Sequence, residues 1–275
     1  MSTPKPSSSP PATKFPEPVQ ALIEARHHDP FAFLGRHVHG AGAVVRAYLP
    51  QAERVRVADG PALTRVDGTD LFVWEGEAGL VPVRYRLEWE DRGGATHCEY
   101  DPYCFPVQLP DFDLHLFGEG RHWHAYRFMG AHQRIVEGVR GVQFAVWAPN
   151  ATRVSLVGDF NAWDGRANPM RSRGGAGVWE LFLPGLSAGT FYKYELRDRA
   201  GNIHVKIDPY ANAFQVRPNT AGLICDEAPY AWGDAAWMAA RASSDWRRRP
   251  MSVYELHLGS WQRDPDGGFL GYREL

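Results

Sequence analysis

The sequence predicts a mostly β protein carrying two tandem immunoglobulin-like β-sandwiches, and two observations predict it. The first is an internal repeat. AYLPQAERVRV, Ala47 to Val57, aligns with VWAPNATRVSL, Val146 to Leu156, at an offset of 99 residues. VWEG from Val73 then matches VWEL from Val178, YRLEWEDRGG from Tyr85 matches YKYELRDRAG from Tyr192, and DPY at Asp101 matches DPY at Asp208. Four matches in one order, drifting only as loop insertions would make them drift, indicate a duplicated domain. The second observation is the texture of each copy: short β-branched or alternating runs bounded by Gly, Pro, Asp and Asn, which is the pattern of a sandwich.

Taken in chain order, the Pro/Ser-rich opening at residues 1–17 reads as a disordered tail. Pro18 to His28 reads as a helix, with Pro in the first turn, Val19, Leu22 and Ile23 on one face, and Asp29-Pro30 to stop it. The first sandwich occupies 18–111, with strands expected at Val44–Leu49, Arg54–Val57, Leu71–Glu75 and Val83–Glu90. A connector at 112–132 leads to the second sandwich, 133–226, with strands at Val142–Trp147, Arg153–Val157, Val178–Leu183 and Thr190–Asp198. In the last of these Tyr192, Tyr194 and Leu196 share one face and Lys193, Glu195 and Arg197 the other. A linker at 227–250 comes next. The nearly continuous apolar run in MSVYELHLGSW then reads as a strand buried on both faces, as in a parallel sheet covered by helices.

Composition narrows the function. Thirty Lys and Arg against 32 Asp and Glu leave a formal charge of -2, which argues against nucleic acid or a membrane surface as partner, since either selects a basic face. Cys98, Cys104 and Cys225 are odd in number and lack C-x-x-C spacing, so neither disulfides nor zinc are indicated, and a reducing cytoplasm fits best. His122 and His124, His27 and His28, and His37 and His39 come without a fixed third ligand, so no metal and no cofactor is expected. No run is long and apolar enough to span a bilayer, and the N-terminus lacks the apolar core of a signal peptide.

One stretch raises a question of its own. In VSLVGDFNAWDG, Val154 to Gly165, a strand breaks at Gly-Asp and leaves Trp163 on a loop tip, where an indole must be covered by a neighbour or a ligand. The first copy has VRVADGPALTR there and lacks the motif, so it reads as structural. Trp74 and Trp179 hold equivalent strand positions and read as core, and Asp101 and Asp208 read as turn formers.

These residues resemble the bacterial 1,4-α-glucan branching enzymes of the α-amylase superfamily. The resemblance is carried by DPFAFLGRH from Asp29, LFGEG from Leu116, GAH from Gly130, FAVWAPNATRVSLVGDFNAWDG from Phe144, GVWELFLPGL from Gly177, YKYEL from Tyr192, DPYA from Asp208, VYELHLGSW from Val253 and GYREL from Gly271. It implies that the second sandwich is a carbohydrate-binding module and that 251–275 is the first strand of an incomplete (β/α)8 barrel. It also implies an enzyme that cuts α-1,4 linkages in glycogen and rejoins the freed segment through α-1,6 linkages. A barrel takes about 250 residues, and only the last 25 follow Pro250. The family's catalytic carboxylates therefore have no matching residue here, no catalytic residue is assigned, and the chain alone is expected to be inactive. Either it is a fragment of a longer product or a truncated reading frame.

The resemblance gives Trp163 a role as a platform for the C–H face of a neutral sugar, against the alternative of an indole packed on a barrel or a neighbouring loop. Lys193 matches the module's sugar-contacting lysine, with a solvated strand face as its alternative. Asn161 belongs to the same glucan-binding motif, although its chemistry suits shaping the turn. A second platform would fall near Ile203. Competing functions are a stand-alone α-glucan-binding protein and the N-terminal part of a debranching or trehalose-releasing enzyme. An unpaired strand at 251–275 would also make the chain self-associate.

Overall fold

The structure, a computed structural model, describes residues 15–226 and 231–275. Most of the expected tail and the first residues of the expected linker lie outside these limits. The chain divides into two compact units at Glu227/Ala228.

The first unit opens with α1 (Glu17–Ile23), which stops five residues before the expected His28. Ala25 adopts a left-handed φ of 50°, and Arg26 N–H reaches back to the carbonyl of Ala21 at 2.8 Å, so the helix closes on itself there. Seven strands come after it: β1 (Gly35–His39), β2 (Gly42–Tyr48), β3 (Ala52–Val57), β4 (Ala62–Arg65), β5 (Leu71–Glu77), β6 (Arg86–Asp91) and β7 (Thr96–Tyr100). All pair antiparallel, in the order β1-β2-β5-β4-β3-β6-β7. They form one hydrogen-bonded sheet whose two arms face each other across a shared core. The short β4 makes the join, because Ala62 and Leu63 pair with β3 while Thr64 and Arg65 pair with β5. The inward residues of each arm, among them Val45, Ala47, Val55, Leu63, Phe72, Tyr85 and Leu87, close on one core.

Between the repeats runs a segment containing α2 (Asp111–Gly118), a helix the repeat pattern did not announce. Nine further strands come next: β8 (Gly130–Val136), β9 (Val139–Trp147), β10 (Arg153–Gly158), β11 (Arg171–Ser172), β12 (Val178–Pro184), β13 (Phe191–Arg197), β14 (Ile203–Lys206), β15 (Ala213–Phe214) and β16 (Gly222–Leu223). One sheet runs β11-β12-β9-β8. The other runs β10-β13-β16-β15, with β14 also on β13. Val142, Phe144 and Val146 from the first sheet and Val154, Leu156, Tyr192 and Tyr194 from the second share a single core. All eight expected strands are present, with ends displaced by at most three residues.

The internal repeat has a counterpart in buried contacts. The Tyr85 hydroxyl donates to the carboxylate of Asp101, and the Tyr192 hydroxyl donates to Asp208 at 2.6 Å. Each carboxylate also accepts a backbone N–H two residues on, from Tyr103 at 2.9 Å and Tyr210 at 2.8 Å. Those tyrosines in turn press on a glycine that starts a repeat: a Cβ on Gly35 would sit 3.0 Å from the Tyr103 carbonyl oxygen, and one on Gly130 would sit 2.9 Å from that of Tyr210. Both glycines have positive φ, 88° and 96°. The two aspartates are thus buried closures as well as turn formers. Burial pushes the Asp101 carboxyl up to about 6 against the pull of its two donors, and pushes that of Asp208 up as well.

The second unit contains α3 (Ala235–Ala242) and α4 (Leu258–Trp261). The strand expected from Ser252 onward does not form: residues 251–257 belong to no ladder among the described residues. A strand exists only through its partner, and the sheet such a sequence would join is not among them.

Candidate functional site

The site is built on the end of β10. At Gly158 any side chain would collide with the Phe160 ring, so the chain can fold tightly there only with glycine. Asn161 organises the loop beyond it. Its carbonyl oxygen accepts the Gly158 N–H at 3.0 Å, and its amide nitrogen donates to Leu156 O at 2.9 Å and to Asn168 Oδ1 at 2.8 Å. The residue is 6% exposed and engaged inside the loop. Of the three residues assigned to the glucan-binding motif, Asn161 is the one bonded inside the loop, in line with the turn-shaping chemistry also expected of it.

Trp163 is presented by that turn. Ala162 and Trp163 both take left-handed φ angles, 52° and 61°, and Trp163 N–H donates to Gly158 O at 2.9 Å. The indole Nε1 donates to Asp159 Oδ1 at 2.8 Å, which holds the ring plane, and 39% of the residue remains exposed. Behind it Asp164 binds Arg166 at 2.7 Å. Burial pushes the Asp164 carboxyl up, but the Arg166 hydrogen bonds prevail and hold it below its ordinary value. Gly165 packs where a Cβ would meet the Glu195 carboxylate, which is itself paired with the fully buried Arg153.

Lys193 lies on β13 directly across from Val157, one position from Gly158, so it shares the end of the sheet with the Trp163 loop. Its Nζ donates to the hydroxyl of Thr220 at 2.8 Å. Thr220 escaped the sequence reading because it lies 27 residues downstream and arrives through β16, whose Gly222 pairs with Tyr192. Ile203 and Val205 on β14 stand opposite Arg197 and Glu195, on the same face as Lys193, and both are exposed. The Gly158 end of the sheet thus carries a fixed indole, an ammonium and a hydroxyl, and the Lys193 face continues into an aliphatic strip along β14. Those are the elements needed to stack a pyranose ring and bond its hydroxyls. Among the described residues no group of His, Cys, Asp and Glu could hold a metal ion.

Two family models match the chain. Residues 128–211, which include Trp163 and Lys193, match carbohydrate-binding module 48, the isoamylase N-terminal domain. Residues 16–103 match the N-terminal domain of alpha-1,4-glucan branching enzyme GlgB. The chain is similar to the N-terminal part of the 1,4-alpha-glucan branching enzymes. It is 56% identical over 258 residues to GlgB of Methylococcus capsulatus, covering 93% of this chain and 35% of that protein. It is 54% identical over 272 residues to GlgB of Nitrosococcus oceani, covering 98% and 36%. The chain thus spans about a third of the length of the curated branching enzymes it matches. A pullulanase from Anoxybacillus superposes over 70% of this chain and 27% of its own, at 16% identity and a TM-score of 0.31, so the fold rests on the strand ladders themselves.

Proposed function

We propose that the chain is the glucan-holding N-terminal portion of an enzyme that transfers α-1,4-glucan segments to form α-1,6 branches in glycogen. The single observation behind this reading is that Trp163 and Lys193, both within the module-48 match, are presented at the same end of one sheet while the rest of their loop is locked inward. Trp163 stacks on a glucose ring, and Lys193 and Thr220 bond its hydroxyls. With one aromatic platform and aliphatic Ile203 where a second would stand, binding is weak, near the millimolar range that corresponds to about 4 kcal/mol.

In domain terms, residues 18–111 and 133–226 are two immunoglobulin-like sandwiches of common origin. The first, joined into one sheet through β4, is the structural member. Residues 251–275 begin the barrel that carries the catalytic carboxylates in the complete enzyme. The cytoplasm is its compartment, in keeping with three free cysteines, and no helix among the described residues is long and apolar enough to cross a membrane. Electrophoresis of the chain through gels containing glycogen, with cellulose-derivative gels as control, tests the proposal. Retardation confined to glycogen is expected, and equal mobility in both overturns it.

A further inference from the structure

The two repeats meet around a cavity that the Trp163 indole does not line. We infer that this cavity is a binding site for a single neutral hexose ring, supplied by a free monosaccharide or by the end of a glucan chain. The first repeat contributes residues 49–52, Leu87 and Trp89 on β6, and residues 99–102. The second contributes residues 160–161 and 167–168, which flank the Trp163 turn, and residues 183–186 beyond β12. The volume is about 150 Å³, room for one six-membered ring and not for a chain.

Three features point to this ligand chemistry. Each core leaves apolar side chains half-buried at the cavity, Leu49 and Trp89 at the margin of the first and Phe160 and Leu186 at the margin of the second. His97 stacks on the Trp89 ring with centroids 5.1 Å apart and is itself bonded to Asp91 Oδ2 at 2.9 Å, so the indole plane is fixed before any ligand arrives. Such walls suit the C–H faces of a pyranose. The second feature is an oriented donor. The Gly158 N–H needs an acceptor and fixes Asn161 Oδ1 towards itself, the Asn161 amide nitrogen then donates to Asn168 Oδ1, and the Asn168 amide nitrogen is left without a partner among the described residues. That nitrogen is not among the enclosed polar atoms, so it is open to an oxygen in the cavity that Asn168 lines. The third is an acceptor. Glu99 stands opposite Leu87 in the β6–β7 ladder, on the face that also carries Trp89, and its carboxylate has neither an ion pair nor a hydrogen bond among the described residues. The residue is exposed at the rim, yet burial against the walls pushes its carboxyl up while His97 pulls it down. A hydroxyl both donates and accepts, so a sugar ring satisfies Asn168 and Glu99 together. An organic cation satisfies only Glu99, and an apolar ring neither.

This inference does not depend on stacking at Trp163, and testing it in the 275-residue chain carrying Trp163→Ala keeps the two apart. Saturation-transfer difference NMR is titrated with glucose, maltotriose, β-cyclodextrin, which is a glucan without a chain end, and cyclohexanol, which is one ring with one hydroxyl. Saturable transfer to glucose makes a free ring sufficient, and transfer to maltotriose alone makes the occupant a chain end; either supports the proposal. β-Cyclodextrin and cyclohexanol should bind at least roughly tenfold more weakly. Adding Asn168→Asp, which keeps the acceptor for Asn161 and removes the donor, or Glu99→Ala should weaken the sugar roughly tenfold. Transfer to neither sugar, or equal binding of cyclohexanol or β-cyclodextrin, overturns the proposal. Indifference to Glu99→Ala does so too, and since Glu99 is exposed that variant decides the matter if Asn168→Asp fails to fold. Self-association of Glu99→Ala in light scattering, with sugar binding unchanged, would make Glu99 a guard of the edge strand β7 instead.

Discussion

Replacing Trp163 by alanine is the most informative single change, because the structure limits how much it can matter. A tryptophan offers roughly 150 to 250 Å² of surface, and here only 39% of the residue is open to a ligand. That leaves about 60 to 100 Å² for stacking, worth about 1.5 to 2.5 kcal/mol at ~25 cal/mol per Å². The expected loss in glucan affinity is therefore roughly tenfold to seventyfold. The alanine variant also loses the indole bond to Asp159, so Trp163→Phe serves as the companion: it keeps a ring without that bond and should fall between the two. Affinity electrophoresis over a series of glycogen concentrations gives the dissociation constants, and circular dichroism with a thermal melt verifies the fold. Equal retardation of wild type and Trp163→Ala, with both folded, would refute stacking and assign the indole to packing.

Lys193→Ala and Thr220→Val should each weaken glucan binding a few-fold. Because the two side chains bond each other, the double variant should lose less than the sum, which a mutant cycle in the same gels measures. Asn161→Ala leaves the Gly158 N–H, the Leu156 carbonyl and the Asn168 side chain without their partner, and urea unfolding should show a loss of about 2 to 4 kcal/mol. Asp101 has a folded-state value raised to about 6 from an ordinary value of roughly 3.9. Its contribution to stability is fully present below pH ~4 and disappears as pH rises through 6, a change of about 3 kcal/mol. Urea midpoints between pH 4 and 7 should lose that component in Asp101→Asn, and an identical slope in both proteins would refute it. The side chains of Met251, Val253, Tyr254 and Trp261 are exposed. Light scattering should therefore show self-association of the full chain and none of a version ending at Asp226.

Strands were legible wherever one face meets a core, since alternation is the trace that burial leaves in a sequence. Tyr192, Tyr194 and Leu196 fall on one face and Lys193, Glu195 and Arg197 on the other as expected. Where burial is weak the trace fails: every residue of β14 is exposed, and β15 and β16 are two residues long. The continuous sheet of the first repeat was hidden for a different reason. Four residues, Ala62–Arg65, divide their hydrogen bonds between two neighbours, and nothing in ALTR announces it. α2 did leave a signal, Pro110 followed by Asp111 and Asp113 in the first turn, but only Leu114 of its residues is buried, so no apolar face supported it. At the site, Trp163 and Lys193 were legible as an aromatic on a turn and as a register position. Thr220 was not, because only tertiary pairing brings it to Lys193.

The twin closures, Tyr85 with Asp101 and Tyr192 with Asp208, each seated beneath a left-handed glycine, make the molecule its own control experiment. A residue that recurs in both halves answers to architecture, and one found in a single half is free to answer to something else. By that standard the tyrosines, aspartates and glycines are scaffold, and the loop bearing Trp163 belongs to one half alone. The hairpin between β3 and β4, where the first half turns back through Ala58–Pro61, is the corresponding vacant mount. An engineer wanting a second sugar platform, spaced from the first by the duplication itself, would graft there.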